Sequence, residues 1–358
     1  MKKIIKPVLF LLPLILVLFT LYGCAGKIKT SKYFETNYTE VIALVSRNNS
    51  ADIYNIVNDK LNLLITIPNL SDLIYNFNNK MYIYLLSIPG GQTLQHNSIK
   101  IEEKNGTRQL DSSYSSLDLK ICKDGTKLAY RSFNKDSYDG AEGIKLYDIS
   151  QNIKLKFNTQ VLVSGNLYQW LTSKDFIYYG IVENKQGSGK IYRYNIDTKK
   201  EDIYLNNING YCTFFYPIND SGIVYIEENI NESRVMYRGI QSSESKLVSN
   251  SIGTIFNATF DKDSNSLYFI ALEKNQNKTL LFKLSLKDMV LSTLNFDFPN
   301  EIDKNGGLVL GSNHNLYFCG INKLNERNND IYTYNCIDRR ITLITNHDAK
   351  YYLGGNNK

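Results

Sequence analysis

One pattern recurs along this chain and constrains its fold more than any other: a tight polar turn followed by a short apolar strand. The strands fall at residues 41–45, 81–85, 128–130, 176–179, 223–226, 267–270 and 316–318, spaced 40–49 residues apart. That period is expected of propeller blades. Turns precede most of them: Asn78-Asn79-Lys80, Asp124-Gly125, Asp220-Ser221-Gly222, Asp263-Ser264-Asn265 and Asn313-His314-Asn315. These residue types tolerate the left-handed backbone of tight hairpins. A polar loop and a third strand with aromatic alternation follow, as at 144–149, 191–196, 280–284 and 331–334. A more polar fourth strand comes next, at 202–205, 246–248 and 341–344. The 27 tyrosines against 6 prolines suit strands.

Four strands repeated seven times predict an all-β chain: a seven-bladed β-propeller of four-stranded antiparallel blades. The ends predict how the ring closes. Residues 351–358 (YYLGGNNK) read like 73–80 (LIYNFNNK), an innermost strand and its turn, while 41–45 is a second strand lacking its first. The C-terminal strand is therefore expected to complete the first blade.

The stretch Cys122-Lys123-Asp124-Gly125-Thr126-Lys127-Leu128-Ala129-Tyr130, followed by Ile144-Lys145-Leu146-Tyr147-Asp148-Ile149, resembles the TolB-like (WD40-like) propeller repeat. The other blades keep the strand pattern and lose the motif's Pro and often its Gly. The resemblance implies an architecture that serves many functions, so it names no activity.

The chain start predicts an address. Lys2, Lys3 and Lys6 precede an apolar run at 8–19, and Leu21-Tyr22-Gly23-Cys24 closes it. This resembles the bacterial lipoprotein signal, which implies lipidation of Cys24 and attachment at the extracytoplasmic face of the cell membrane. The expected organisation is a signal peptide with lipobox at 1–24, a tether at 25–39 and the propeller at 40–358. Removing those three lysines from the 41 basic residues leaves 38 against 35 acidic ones. So balanced a chain lacks the basic face that nucleic acid demands, and no nucleic-acid partner is expected.

Catalytic and cofactor patterns are sparse, and no catalytic residue, metal or cofactor is expected. His96 and His347 fall in loops on one face and His314 in a turn on the other, which argues against a three-histidine zinc site. Asp261-x-Asp263-x-Asn265 begins like a calcium loop but lacks its Gly at position six and has Leu272 where Glu is required. Gly187-Ser188-Gly189 is no nucleophile elbow. Asp136, Asp139, Glu142, Glu183, Glu227 and Glu228 read as solvated loop charges rather than a hydrolytic pair. The cysteines at 122, 212, 319 and 336 read as buried free thiols; centring the last blade's hairpin puts Cys319 opposite roughly Thr333, out of register with Cys336.

Binding remains the expected role. Loops joining second to third strands share one face with the blade-to-blade connections, and they are the longest and most polar. Tyr138, Asp139, Glu142, Glu183 and Arg327 are the candidate binding residues on that face. Trp170, on an innermost strand, either approaches the channel or packs between blades. A protein partner in the cell envelope is expected, with a glycan-binding or glycan-hydrolysing propeller as the alternative.

Overall fold

The computed structural model describes residues 39–110, 113–183, 189–218, 221–294, 298–321, 328–345 and 349–355. Cys24, Arg327 and His347 lie outside these residues, as do 1–24 and most of the expected tether. Seven antiparallel sheets follow one another along the chain. Blade 1 comprises residues 41–68 together with Tyr351–Gly355; blades 2 to 7 span 70–109, 115–155, 161–205, 211–249, 252–293 and 301–343. Six blades run innermost to outermost in chain order. In blade 1 the last strand of the chain is the innermost, pairing Val41 with Gly355 through Val45 with Tyr351. The expected closure is the observed one.

The core is divided rather than central. One apolar cluster occupies each junction between neighbouring blades, including the junction of blades 7 and 1. There Val41, Ala43 and Ile56 meet Val309, Tyr317 and Ile331, with Tyr351 of the closing strand between them. A four-stranded sheet has two faces to bury, and only a neighbour on each side satisfies both. Burying each large side chain contributes about 1.5–3 kcal/mol, so the last junction stabilises closure as much as any other.

The turns bear out the chemistry read from their residues. Lys80, Asn265 and His314 have φ of 49°, 47° and 60°, and Gly125 has φ of 74°. Asp124 shapes the tightest turn: its Oδ1 accepts the Thr126 N–H at 3.0 Å and the Thr126 hydroxyl at 2.7 Å. The turn then meets blade 2, where Asn79 Nδ2 donates to the Asp124 carbonyl at 2.7 Å. A Cβ on Gly125 would lie 2.1 Å from that same Asn79 nitrogen, so glycine is required twice over.

Two features depart from a regular meander. Innermost strands of blades 2 to 6 carry bulges, at Leu70/Asp72, Leu117/Lys120, Val163/Tyr168, Cys212/Phe214 and twice in blade 6. Bulges increase local twist and re-aim side chains, here toward the axis where the strands crowd. In blade 7 the innermost strand is broken into Glu301–Ile302 and Leu308–Leu310. The interruption is built around Asp303, whose carboxylate accepts from Asn329 Nδ2 at 2.7 Å and Asn305 N–H at 2.9 Å. Its Gly306 carbonyl accepts the Leu353 N–H at 2.8 Å, so the break grips the closing strand.

The four cysteines among the described residues are free. Cys319 faces Ile331 rather than Thr333, and Cys336 lies just beyond the end of Asp330–Asn335. The last ladder pair is Gly320 with Asp330, so the loop between them is 321–329 rather than 322–330, and that one-residue shift of its middle moves the register by two.

Candidate functional site

Each innermost strand runs from the face bearing the blade connections to the face bearing the first-to-second-strand turns. The former, the loop face, carries a cleft of about 960 Å³ at the junction of blades 3 and 4. Blade 3 contributes Arg131, Phe133, Tyr138 and Glu142; blade 4 contributes Leu162 and the connection residues around Gln160.

Blade 3's wall is rigidly built. The Ser137 side chain accepts the Asp139 N–H at 3.2 Å and caps a single 3-10 turn, Tyr138–Gly140. A Cβ on Gly140 would come 2.6 Å from Lys135 Cγ and 2.9 Å from Asn134 Oδ1, so any larger residue must displace both side chains. Asp136 bridges to the next loop of blade 2, accepting N–H groups from Gln92 at 2.6 Å, Thr93 at 3.0 Å and Leu94 at 2.6 Å. Those bonds, Leu94's foremost, hold its carboxyl below the usual carboxylate range. Glu142 accepts the Ser132 hydroxyl at 2.5 Å. Arg131 pairs with Asp118 at 2.5 Å and lies 5.8 Å from the Phe133 ring centre, which meets Tyr138 edge-on at 6.1 Å.

Tyr138 and Glu142 line one wall of the cleft, and Asp139 sits beside Tyr138 in the same 3-10 turn without lining it. Glu183 directly follows Val182, the cross-strand partner of Val161 in the same cleft. Trp170 stands apart, buried between blades. Its Nε1 donates to the Lys120 carbonyl at 3.1 Å and its ring lies 5.0 Å from Phe176. Two acids read as solvated are structural instead. Asp136 is the loop clamp, and buried Glu227 pairs with Arg234 at 2.6 Å and accepts the Asn209 N–H at 3.0 Å. Neither role is visible locally, since each partner lies across a loop or a strand.

Sequence patterning singled out Tyr138 but missed further exposed apolar residues on the loop face of blades 4 and 5. Tyr138 is 63% exposed, Leu162 54%, Ile181 50% and Tyr211 73%, while Ile230 is fully exposed. Leu162 and Ile181 are cross-strand partners at the loop end of blade 4. Tyr211 opens blade 5 and Ile230 lies in its second-to-third-strand loop. The signal was available, because apolar residues at strand ends and loop tips have no blade neighbour to bury them.

Along the axis, all seven innermost strands line a smaller cavity of about 300 Å³. Lys120 and Lys123 are the charged residues of its wall. Burial lowers the Lys120 ammonium, partly offset by Asp118 and Asp72. Asp72 is accessible to water yet surrounded by the ring's inner wall, and that desolvation raises its carboxyl.

No protein-family model matches the chain, and no curated protein matches it in sequence. Solved structures do match in shape. TolB from Acinetobacter baumannii superposes with a TM-score of 0.52 at 10% identity, covering 89% of this chain and 83% of that one. The chain has the TolB-like propeller fold. The propeller domain of the Trilobed protease from Pyrococcus furiosus gives 0.60 at 11% identity, covering 87% and 96%. An oligogalacturonate lyase in complex with manganese gives 0.55 at 10% identity, covering 86% and 85%. Propellers so similar in shape belong to proteins as different as a protease and a lyase, so the TolB-like fold fixes no chemistry.

Proposed function

We propose that this chain is a lipid-anchored, extracytoplasmic propeller that binds a protein partner of the cell envelope through its loop face over blades 3 to 5. The observation that carries this reading is the exposed apolar group of Tyr138, Leu162, Ile181, Tyr211 and Ile230. Apolar side chains gathered on one face of a rigid scaffold suit protein docking. The charges nearby are already engaged: Arg131 with Asp118, Glu142 with Ser132. A sugar-processing site would need such groups free and convergent.

Anchoring rests on the signal-like start and Cys24, whose acyl chains would each contribute about 0.8 kcal/mol per buried CH₂. Among the described residues no helix is long and apolar enough to cross a membrane. The place where the described chain begins favours a particular orientation. Tyr75 donates its hydroxyl to the Thr39 carbonyl at 2.7 Å, and the Ser312 N–H donates to Glu40 Oε2 at 2.5 Å. Ser312 belongs to a first-to-second-strand turn, so Glu40 sits at the turn face, which supports an orientation with the loop face away from the lipid.

A second reading is glycan binding in the cleft itself, where Asn158, Thr159 and Gln160 line the space beside the Tyr138 ring. One experiment separates the two. Crosslinking the full chain in membranes and capturing it is expected to recover a protein, with recovery lost on Ile181→Asp and retained on Gln160→Ala. Capture of polysaccharide alone sinks the docking reading and favours the glycan. For the anchor, Cys24→Ser is expected to release the protein from the membrane fraction.

A further inference from the structure

Equivalent turns of successive blades are neighbours in a propeller. On the turn face, the first-to-second-strand turns of blades 6 and 7 bring together Asp261, Asp263 and His314. One ligand atom from each lies within 4.8 Å of the others. Asp261 is buried, and its carboxylate is oriented from behind: Oδ1 accepts the Asp263 N–H at 3.1 Å and Oδ2 the Ser264 hydroxyl at 2.7 Å. Each oxygen keeps a second lone pair. The His314 backbone is held with φ of 60° while its carbonyl accepts the Cys336 N–H at 2.9 Å. Asp263 is exposed and free to adjust.

A second observation points to a ligand here. Thr259 lies on the same face of Ile252–Asp261, one pleat inward from Asp261, and is fully buried. Its hydroxyl has no partner among the described residues. Buried polar groups are nearly always satisfied, and a water held by an ion beside Asp261 would satisfy this one.

We propose that Asp261, Asp263 and His314 bind a divalent metal ion of the zinc and manganese class, clamping blades 6 and 7 at the turn face. Two carboxylates and an imidazole suit such ions, whereas calcium takes oxygen ligands alone. Ligands about 2.0–2.2 Å from one ion lie at most about 4.4 Å apart, so a small rotation of Asp263 closes the site. Three protein ligands leave a coordination position for water. Neither the fold nor the loop-face reading assigns this site.

The test is calorimetric titration of the chelator-treated full chain in detergent with Zn²⁺ and with Mn²⁺. One equivalent of at least one ion is expected to bind and to raise the melting temperature. Asp263→Asn and His314→Asn are the variants; asparagine tolerates the left-handed backbone at 314, so the turn survives. Each is expected to weaken binding at least tenfold and to abolish the thermal shift. Failure of both ions to bind the unaltered protein overturns the proposal, as does binding by either variant that equals it.

Discussion

Asn329 grips Tyr351 twice: its Oδ1 accepts the Tyr351 N–H at 2.6 Å, and its Nδ2 donates to the Tyr351 carbonyl at 2.9 Å. The same Nδ2 reaches Asp303 at 2.7 Å. All three residues are buried, so one amide ties the closing strand to the broken inner strand of blade 7. Replacing it leaves the buried Tyr351 N–H without its acceptor and takes one donor each from the Tyr351 carbonyl and the Asp303 carboxylate. Asn329→Ala is expected to cost about 2–4 kcal/mol, read as a lower midpoint in urea unfolding. Deleting 350–358 removes the strand altogether and is expected to abolish cooperative unfolding; an unchanged transition would disprove the latch.

Gly125→Ala combines a left-handed backbone with a clash at Asn79. The expected loss is about 1–2 kcal/mol from the backbone alone, and more if the Asn79–Asp124 bond breaks. Gly143→Ala is the control, since a Cβ there meets nothing within 4 Å while φ is a similar 81°. A difference between the two measures the blade-to-blade contact.

Acid should weaken the turn that joins blades 2 and 3. Burial opposes ionisation of Asp124, but hydrogen bonds from Cys122, Thr126 and Ser173 outweigh it and hold the carboxyl at about 2. A depressed folded pKa gives stability that is complete above the unfolded value of about 3.9 and is lost as pH falls toward 2. Melting temperature is therefore expected to fall between pH 4 and pH 2 by more in the unaltered protein than in Asp124→Asn. Equal slopes would remove Asp124 from the account.

The thiols should be silent. Burial pushes Cys122 up to about 11 and Cys212 up to about 12, and Cys319 is raised well above its ordinary value. Thiolate is the reactive form, so at pH 8 these three should label with iodoacetamide only after unfolding. Rapid native labelling of any of them would show that a blade junction opens.

Much of the ring was legible because its unit is local. A strand, a turn and an alternation can be read within a dozen residues, and the likeness of 351–358 to 73–80 exposed the closure. Contacts between blades were not legible in the same way. Asn329, Asp136 and Glu227 look like loop residues until the neighbouring backbone is in place. The last hairpin likewise sets Cys319 against Ile331, because its ladder ends at Gly320 and Asp330. Tyr138, Asp139, Glu142 and Glu183 could be placed on the loop face because loop length is local, while Leu162, Ile181 and Tyr211 were hidden inside strands. Asp263 and His314 are instructive: both fall in equivalent turns, and adjacency of blades 6 and 7 is enough to put them side by side.

The bond from Ser312 to Glu40 has a mechanical consequence. A tug transmitted through Thr39 loads the strand Val41–Ser46 along its own length, between antiparallel neighbours on both sides. Its ladder bonds must then shear together rather than peel one at a time. The seam that shuts the ring is also the one best placed to resist force applied through Thr39.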